Sequence, residues 1–334
     1  LKTIHISHPH DLKREDFPTS VMALGYFDGV HLGHQQVILT AKNTAAREGV
    51  KTAVMTFHPH PSAVLKKGRE PKDLITPLQD KISIIEDLGV DFLYVVTFTP
   101  EFASLSPEEF IDQYILGFHV THVVAGFDFT FGKFGKGTME NFQEYAKGRV
   151  KSTSVAKYSN QDQKVSSTRI RTVLGAGDVE YAAELLGRPY HVKGFVIHGD
   201  KRGRTIGFPT ANIGLKDTYI VPPTGVYAVK AEIGGAVYNG VCNVGYKPTF
   251  YEKRPGQPSI EVNLFDFDRD IYGSEIKVEW YKRLRSEKNS AALTSLSNRF
   301  LETKKKRSAS SESGSRPKSR CMETAIRVNN GDNS

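Results

Sequence analysis

Only two cysteines, Cys242 and Cys321, occur in 334 residues. They lie far apart without metal-ligand spacing, which excludes a disulfide framework and a cysteine-based zinc module and suits a reducing compartment. No apolar run approaches the ~18–20 residues of a helical membrane span, and the first residues do not read as a secretory leader. A cytoplasmic protein without membrane association is therefore expected. The chain also lacks a G-x-G-x-x-G dinucleotide fingerprint and a Walker A loop. Its basic excess is local: of the net charge of +8, residues 303–334 supply +5, from eight Lys/Arg against three Asp/Glu. That stretch, with "KKKRSASSESGSRPKSR", is serine-rich and poor in apolar residues, so it reads as a solvated, disordered tail rather than a nucleic-acid contact.

The whole chain is 39% hydrophobic and 25% charged, ordinary for a globular protein, with length enough for two domains. The first half alternates strands and helices. "VMALGYF" (21–27) is a short apolar strand. From His34 the period becomes helical, with Val37, Ile38, Ala41 and Ala45 on one side and Gly49 as a stop. "VKTAVMTF" (50–57) closes a strand–helix–strand unit. Thr76 with Pro77 reads as the N-cap and first turn of a helix ending at Gly89, and "DFLYVVTF" follows as a strand. Ser106, Pro107 and Glu109 form a capping box for a helix ending at Gly117, before the strand "HVTHVVAG". Such alternation implies a parallel sheet covered by helices, with ligands bound beyond the carboxyl ends of its strands.

The stretch "GYFDGVHLGHQQ" (25–36) sits at such an end. A helix start there presents unpaired N–H groups and a positive dipole end. Gly25 and Gly33 allow close backbone approach, and His31 and His34 add donors, so a polyphosphate is the expected ligand. A zinc pair is disfavoured because no third ligand is evident; two surface histidines would be the bland alternative. "VSSTRIR" (165–171) offers a second anion site: Ser166, Ser167 and Thr168 are N-cap types, and Arg171 stands one turn on, where it could fork onto a phosphate. By itself this segment reads first as an ordinary cap with solvated arginines.

Together these stretches resemble a known family. G-x-F-D-G-x-H-x-G-H is similar to the signature of the HxGH nucleotidyltransferase superfamily in the form used by bacterial FMN adenylyltransferases. "TFHPHP" (56–61) resembles that family's flavin loop, "GFDFTFG" (126–132) its strand-end flavin and nucleotide segment, and "VSSTRIR" its I-S-S-T-x-x-R motif, with Val165 in place of isoleucine. The resemblance implies catalytic roles for His31, His34 and Arg171. It implies ligand contacts from Gly25, Phe27, Asp28, Gly33, Phe57, Pro59, Pro61, Asp128, Ser167 and Thr168.

After the capped helix 178–187, helical periodicity stops. "YHVKGFVIHG", "GVYAVKAEI", "AVYNGVCNVG", "PSIEVNLFDF" and "EIKVEWYKRL" read as short strands of a small antiparallel barrel. Between the first two lies "HGDKRGRTIGFPTANI" (198–213), in which Gly199, Gly203 and Gly207 sit among Lys201, Arg202 and Arg204. Flexible backbone with cations suits a phosphate cradle, though it would equally suit a plain hairpin. G-R-T-x-G-F-P-T-A-N closely resembles the riboflavin kinase signature. Thr210 and Asn212 are oxygen donors suited to Mg²⁺. Alternation along "SIEVNLFDF" puts Ile260, Val262 and Leu264 on one face and Glu261 with Asn263 on the other. In riboflavin kinases the glutamate of this strand is the base, which the resemblance carries to Glu261, with Phe208 and Asn263 as further ligand contacts. "YKRLR" (281–285) resembles a segment flanking the kinase flavin site.

The arrangement as a whole resembles the bifunctional riboflavin kinase/FAD synthetase family. It implies a Rossmann-like α/β nucleotidyltransferase domain over 1–186 and an antiparallel β-barrel kinase domain over 187–302; the disordered basic tail over 303–334 is read from composition alone, and there the chain departs from the family pattern. The expected substrates are ATP, riboflavin and FMN, with Mg²⁺ as cofactor and neither nucleic acid nor membrane as partner. The rivals are another HxGH nucleotidyltransferase, acting on a pantetheine or nicotinate substrate, and a flavin-binding regulator without turnover.

Overall fold

The computed structural model describes residues 1–65, 73–198, 210–246 and 258–286. Its first half is built on strands β1 (Lys2–Ile6), β2 (Ser20–Leu24), β3 (Lys51–His58), β4 (Phe92–Thr97), β5 (Val120–Gly126) and, after a hairpin of β6 (Thr130–Phe131) and β7 (Gly137–Thr138), β8 (Lys151–Val155). A second hairpin joins β9 (Ser159–Asn160) to β10 (Gln163–Lys164). The six sheet strands are all parallel, in the order β1-β4-β3-β2-β5-β8. From β2 the sheet grows through β3 and β4 to one side and through β5 and β8 to the other. The switch point of this doubly wound sheet thus lies between the carboxyl ends of β2 and β5, where such folds bind ligands.

Helices α1 (Leu32–Glu48), α2 (Pro61–Leu65), α3 (Leu78–Asp87), α4 (Pro100–Ala103), α5 (Pro107–Phe110), α6 (Phe142–Ala146), α7 (Ser167–Ala176) and α8 (Val179–Leu186) complete this half. β2 is buried along its whole length, as a central parallel strand must be. Its alternate side chains serve two cores. Met22 and Leu24 join Met55, Tyr94 and the aromatic cluster Phe102, Phe110, Tyr114 and Phe118. Val21 and Ala23 join Val54, Leu93 and the α1 stripe Val37, Ile38, Ala41 and Ala45. Burial of Val37 and Ile38 contributes ~1.5–3 kcal/mol each, which anchors the helix whose first turn faces the switch point.

Most boundaries follow the local chemistry. Gly49 ends α1 at φ 67°. Ser106 and Glu109 form the reciprocal cap, at 3.2 and 2.7 Å. Beyond α5 the chain widens into a π-helical turn, Ile111–Leu116, before Gly117. Two expectations are corrected. The strand read as 21–27 ends at Leu24, because Phe27 turns the chain at φ 55°. The cap of α3 is Pro77, not Thr76, and it makes no side-chain capping bond; the Thr76 hydroxyl instead accepts from Arg188.

The second half is a closed antiparallel barrel of β11 (Tyr190–Ile197), β12 (Thr210–Leu215), β13 (Gly225–Ile233), β14 (Ala236–Gly245), β15 (Ser259–Leu264) and β16 (Glu275–Ser286), in the order β11-β12-β15-β14-β13-β16. The period of two is explicit on β15, where Ile260, Val262 and Leu264 are buried and Glu261 and Asn263 are half-buried on the other face. Ile170 and Leu174 of α7 and Val179, Leu185 and Leu186 of α8 share one apolar core with Tyr190, Val192, Tyr227 and Trp280 of the barrel.

Candidate active sites

The loop from β2 to α1 is wound tightly. Phe27, Gly29 and Val30 all have left-handed backbone, at φ 55°, 88° and 38°. For the two non-glycine residues this costs ~1–3 kcal/mol each, so the surroundings must hold them. The Phe27 ring supplies part of that hold: it folds back over Gly25, where a Cβ would lie 2.8 Å from the ring. The turn delivers His31 as the N-cap of α1, its Nδ1 accepting the His34 backbone N–H at 3.2 Å. An accepting Nδ1 leaves the proton of a neutral imidazole on Nε2. The His31 and His34 rings stack at 3.6 Å and 16°. A Cβ on Gly33 would stand 3.2 Å from the His31 ring, so the glycine is what lets the cap close.

Both imidazoles are neutral near pH 7. Burial, followed by the Lys164 charge, pulls His31 down to about 4. Burial, His31 itself and the cations Lys81 and Lys164 hold His34 well below its ordinary value. The Nδ1 of His34 is buried without a hydrogen-bond partner, an orphan that a ligand group at this spot would satisfy.

Asp28 is the hub of the loop. Its buried carboxylate accepts the Ile75 and Thr76 N–H groups at 3.1 and 3.2 Å and pairs with Arg171 at 2.5 Å. Its carbonyl accepts the Ser167 hydroxyl at 2.8 Å. Arg171 also donates to the Asp73 carbonyl. Ser166 caps α7 by accepting the Arg169 N–H at 3.2 Å. The start of α7 is thereby tied to the loop that leads into α1, although Asp28 and Ser167 lie 139 positions apart. Asp28, expected as a ligand contact, and Arg171, expected as a catalytic residue, are partners of each other.

Across the switch point, Asp128 pairs with Lys164, whose Nζ lies 4.6 Å from the centre of the Phe127 ring. Thr168 is exposed beside Ser167. Phe57 is turned into the core against Phe102, whereas Pro59 is exposed and Pro61 opens α2, in a loop whose His60 packs on Tyr26. Of the flavin-loop residues, then, the prolines and not the phenylalanine present surface.

Sequence reading missed two cations. Lys81 is buried; its ammonium donates to the Tyr26 carbonyl at 2.7 Å and the Thr56 hydroxyl at 3.2 Å and lies over the Tyr26 ring. Burial lowers it to about 8 while the Asp28 charge acts in the opposite sense. The signal was a lysine inside the apolar stripe Leu78, Ile82, Ile85 of α3. Arg188 donates to the Gly29 carbonyl at 2.7 Å and the Val30 carbonyl at 3.3 Å, so it clamps the histidine loop from beyond α8.

In the barrel, register gathers the remaining residues. Thr210 stands opposite Asn263, and Asn212 opposite Glu261, on the β12–β15 ladder. Ala211, between them, points inward. Thr210, Asn212, Glu261 and Asn263 therefore share one face, with opposite Cβ atoms about 4.5–5.5 Å apart. Asn243 of β14 pairs with Glu261 from the other side, a neighbour not foreseen from sequence. Two neutral oxygen donors beside one carboxylate fit a hard divalent cation that keeps its remaining ligands from water and phosphate. Among the described residues no group of three or more His, Cys, Asp or Glu is placed to hold a metal ion, so no all-protein cage competes with this set there. Gly199, Lys201, Gly203, Arg204, Gly207 and Phe208 lie outside the described residues. In "YKRLR", Lys282 pairs with Glu180 of α8, and Arg283 donates to the Ala176 carbonyl at the end of α7 and to the Thr224 carbonyl. These two residues tie the barrel to the preceding helices.

The FAD synthetase family model matches residues 13–169 and the riboflavin kinase model residues 186–309. A bifunctional riboflavin kinase/FMN adenylyltransferase of Bacillus subtilis is 65% identical over 304 residues, covering 91% of this chain and 96% of that protein. Its counterpart in Listeria monocytogenes is 50% identical, covering 86% and 91%. A solved structure from Streptococcus pneumoniae, described as a macrolide-efflux protein, superposes with a TM-score of 0.79 at 34% identity over 94% of this chain and 100% of that one. No helix among the described residues is long and apolar enough to cross a membrane. With both domain models matched in order, and relatives of this identity covered almost end to end, the chain belongs to the bifunctional riboflavin kinase/FMN adenylyltransferase family.

Proposed function

We propose the following division of labour for the two reactions of this bifunctional enzyme. The barrel, taken as 187–302, transfers the γ-phosphoryl group of ATP to the 5′-hydroxyl of riboflavin, giving FMN and ADP. Glu261 accepts the hydroxyl proton as the oxygen–phosphorus bond forms. Thr210 and Asn212 hold Mg²⁺, which when bound offsets phosphate charge. Asn263 orients the acceptor, and Gly199, Lys201, Gly203, Arg204, Gly207 and Phe208 enclose the nucleotide.

The α/β half, taken as 1–186, joins FMN to the α-phosphorus of a second ATP, giving FAD and pyrophosphate. The attacking FMN phosphate is already an anion, so no strong base is needed; the barrier is repulsion between like charges. Neutral His31 and His34 answer it with N–H donors, supported by the first-turn N–H groups of α1 and α7. Arg171 would have to exchange Asp28 for the triphosphate in order to fork onto it. Gly25, Phe27, Asp28 and Gly33 shape the loop, Ser167 and Thr168 the second helix start. Pro59, Pro61 and Asp128 border the flavin, with Phe57 supporting the proline loop from the core.

One observation carries this reading: residues scattered through the chain meet in two places. Asp28, on the loop that carries His31 and His34, meets Ser167 and Arg171 of α7, and Asn212 stands opposite Glu261 with Thr210 opposite Asn263 on one ladder. Small-molecule substrates in the cytoplasm, with no nucleic acid, complete the proposal. Its test is product analysis after incubation with riboflavin, ATP and Mg²⁺. FMN followed by FAD supports it; absence of either product refutes the corresponding half.

A further inference from the structure

Neighbouring residues at the start of α3, both buried, carry opposite charges and have partners in opposite halves of the molecule. Asp80 accepts the Tyr219 hydroxyl at 2.6 Å and pairs with Lys193 at 2.8 Å and His191 at 3.4 Å, all three from the barrel half. Lys81 donates to the Tyr26 carbonyl and Thr56 in the α/β half. The segment just before α3 is shared in the same way. Leu74 forms a parallel bridge with Tyr219: its N–H donates to the Thr218 carbonyl at 2.8 Å and its carbonyl accepts the Ile220 N–H at 3.1 Å. The next two amides, Ile75 and Thr76, are the donors that hold Asp28.

A buried carboxylate is tolerated only while charge and hydrogen-bond partners offset its desolvation. Every side-chain partner described above for Asp80 comes from the barrel, so the position of this turn depends on barrel contact. From the turn two short links run to the histidine loop: Ile75 and Thr76 to Asp28, and Lys81 to Tyr26. We propose that the barrel has a second role besides its own phosphoryl transfer. Through Tyr219 and Lys193 on Asp80 it positions the loop that performs adenylyl transfer, which makes these three positioning residues for the partner site. The inference rests on assignment of FAD formation to that loop.

The test uses the full chain with each reaction measured separately, FMN plus ATP to FAD and riboflavin plus ATP to FMN. Tyr219→Phe removes one donor and keeps the ring; Lys193→Met removes the charge; Lys193→Arg restores it. A small displacement of a catalytic group lowers turnover steeply, so Tyr219→Phe or Lys193→Met should lower kcat for FAD formation roughly 10-fold. Riboflavin phosphorylation should stay within about twofold in the same variants, with recovery in Lys193→Arg. Amide exchange at Ile75 and Thr76 should quicken in whichever variant is slow. Unchanged FAD formation in both variants, or matched losses in both reactions, overturns the proposal. Wild-type chain that makes no FAD from FMN would instead overturn the assignment on which it rests.

Discussion

The imidazoles of His31 and His34 lie face to face, 3.6 Å between centroids, with the His31 ring capping the helix on which His34 rides. Neither ring can be lost without disturbing the other. His31→Ala and His34→Ala should each lower FMN adenylylation by ~10²–10³-fold, the usual cost of deleting a donor that faces developing charge. Riboflavin phosphorylation, measured as ADP release, should persist in both. Gly33→Ala should act in the same direction, since its methyl would meet the His31 ring at 3.2 Å.

Glu261→Gln separates the activities in the opposite sense. Strand register keeps the side chain beside Asn212, but an amide cannot accept the hydroxyl proton. FMN formation should fall on the order of 10²–10⁴-fold, while FMN supplied from outside is still converted to FAD. Separate initial-rate assays check this.

Asp28→Asn keeps the shape of the hub and removes its charge. Loss of one partner from a buried pair costs about 3–5 kcal/mol, and the partial exposure of Arg171 puts this case toward the lower end. Urea unfolding should show the loss, with FAD formation more impaired than FMN formation.

The buried histidines also set an acid limit. His31 titrates at about 4 in the folded chain, against 6.5 when unfolded, and His34 shifts in the same direction. Between those values the unfolded chain takes up protons that the folded chain excludes, so this contribution to stability is complete above pH 6.5 and is lost as pH falls toward 4. His31 alone should account for about 2 kcal/mol by pH 5. Melting temperature should drop over this window, and His31→Asn should drop less.

Much of this organisation was legible because it is local. Val37, Ile38, Ala41 and Ala45 announce α1, Gly49 its end, and Ser106 with Glu109 the next cap. The alternation of Ile260, Glu261, Val262 and Asn263 predicted which side chains line the outer barrel face. What stayed hidden depends on contacts distant in sequence. Nothing near Arg171 says that its guanidinium meets Asp28, and nothing near Phe57 says that its ring turns toward Phe102. Thr76 has the chemistry of a cap, yet its hydroxyl goes to Arg188 and its amide to Asp28. Lys81 interrupts an apolar stripe, but the carbonyl that holds it belongs to a turn 55 residues earlier.

Two separate sites in one chain share FMN, as the product of one and the substrate of the other. Mixing tests this most directly: Glu261→Gln and His34→Ala chains, each alone and together, are given riboflavin, ATP and Mg²⁺. The first should make almost no FMN or FAD, the second FMN without FAD, and the mixture FAD. FAD from either variant alone at the wild-type rate, or none from the mixture while FMN accumulates, would contradict it.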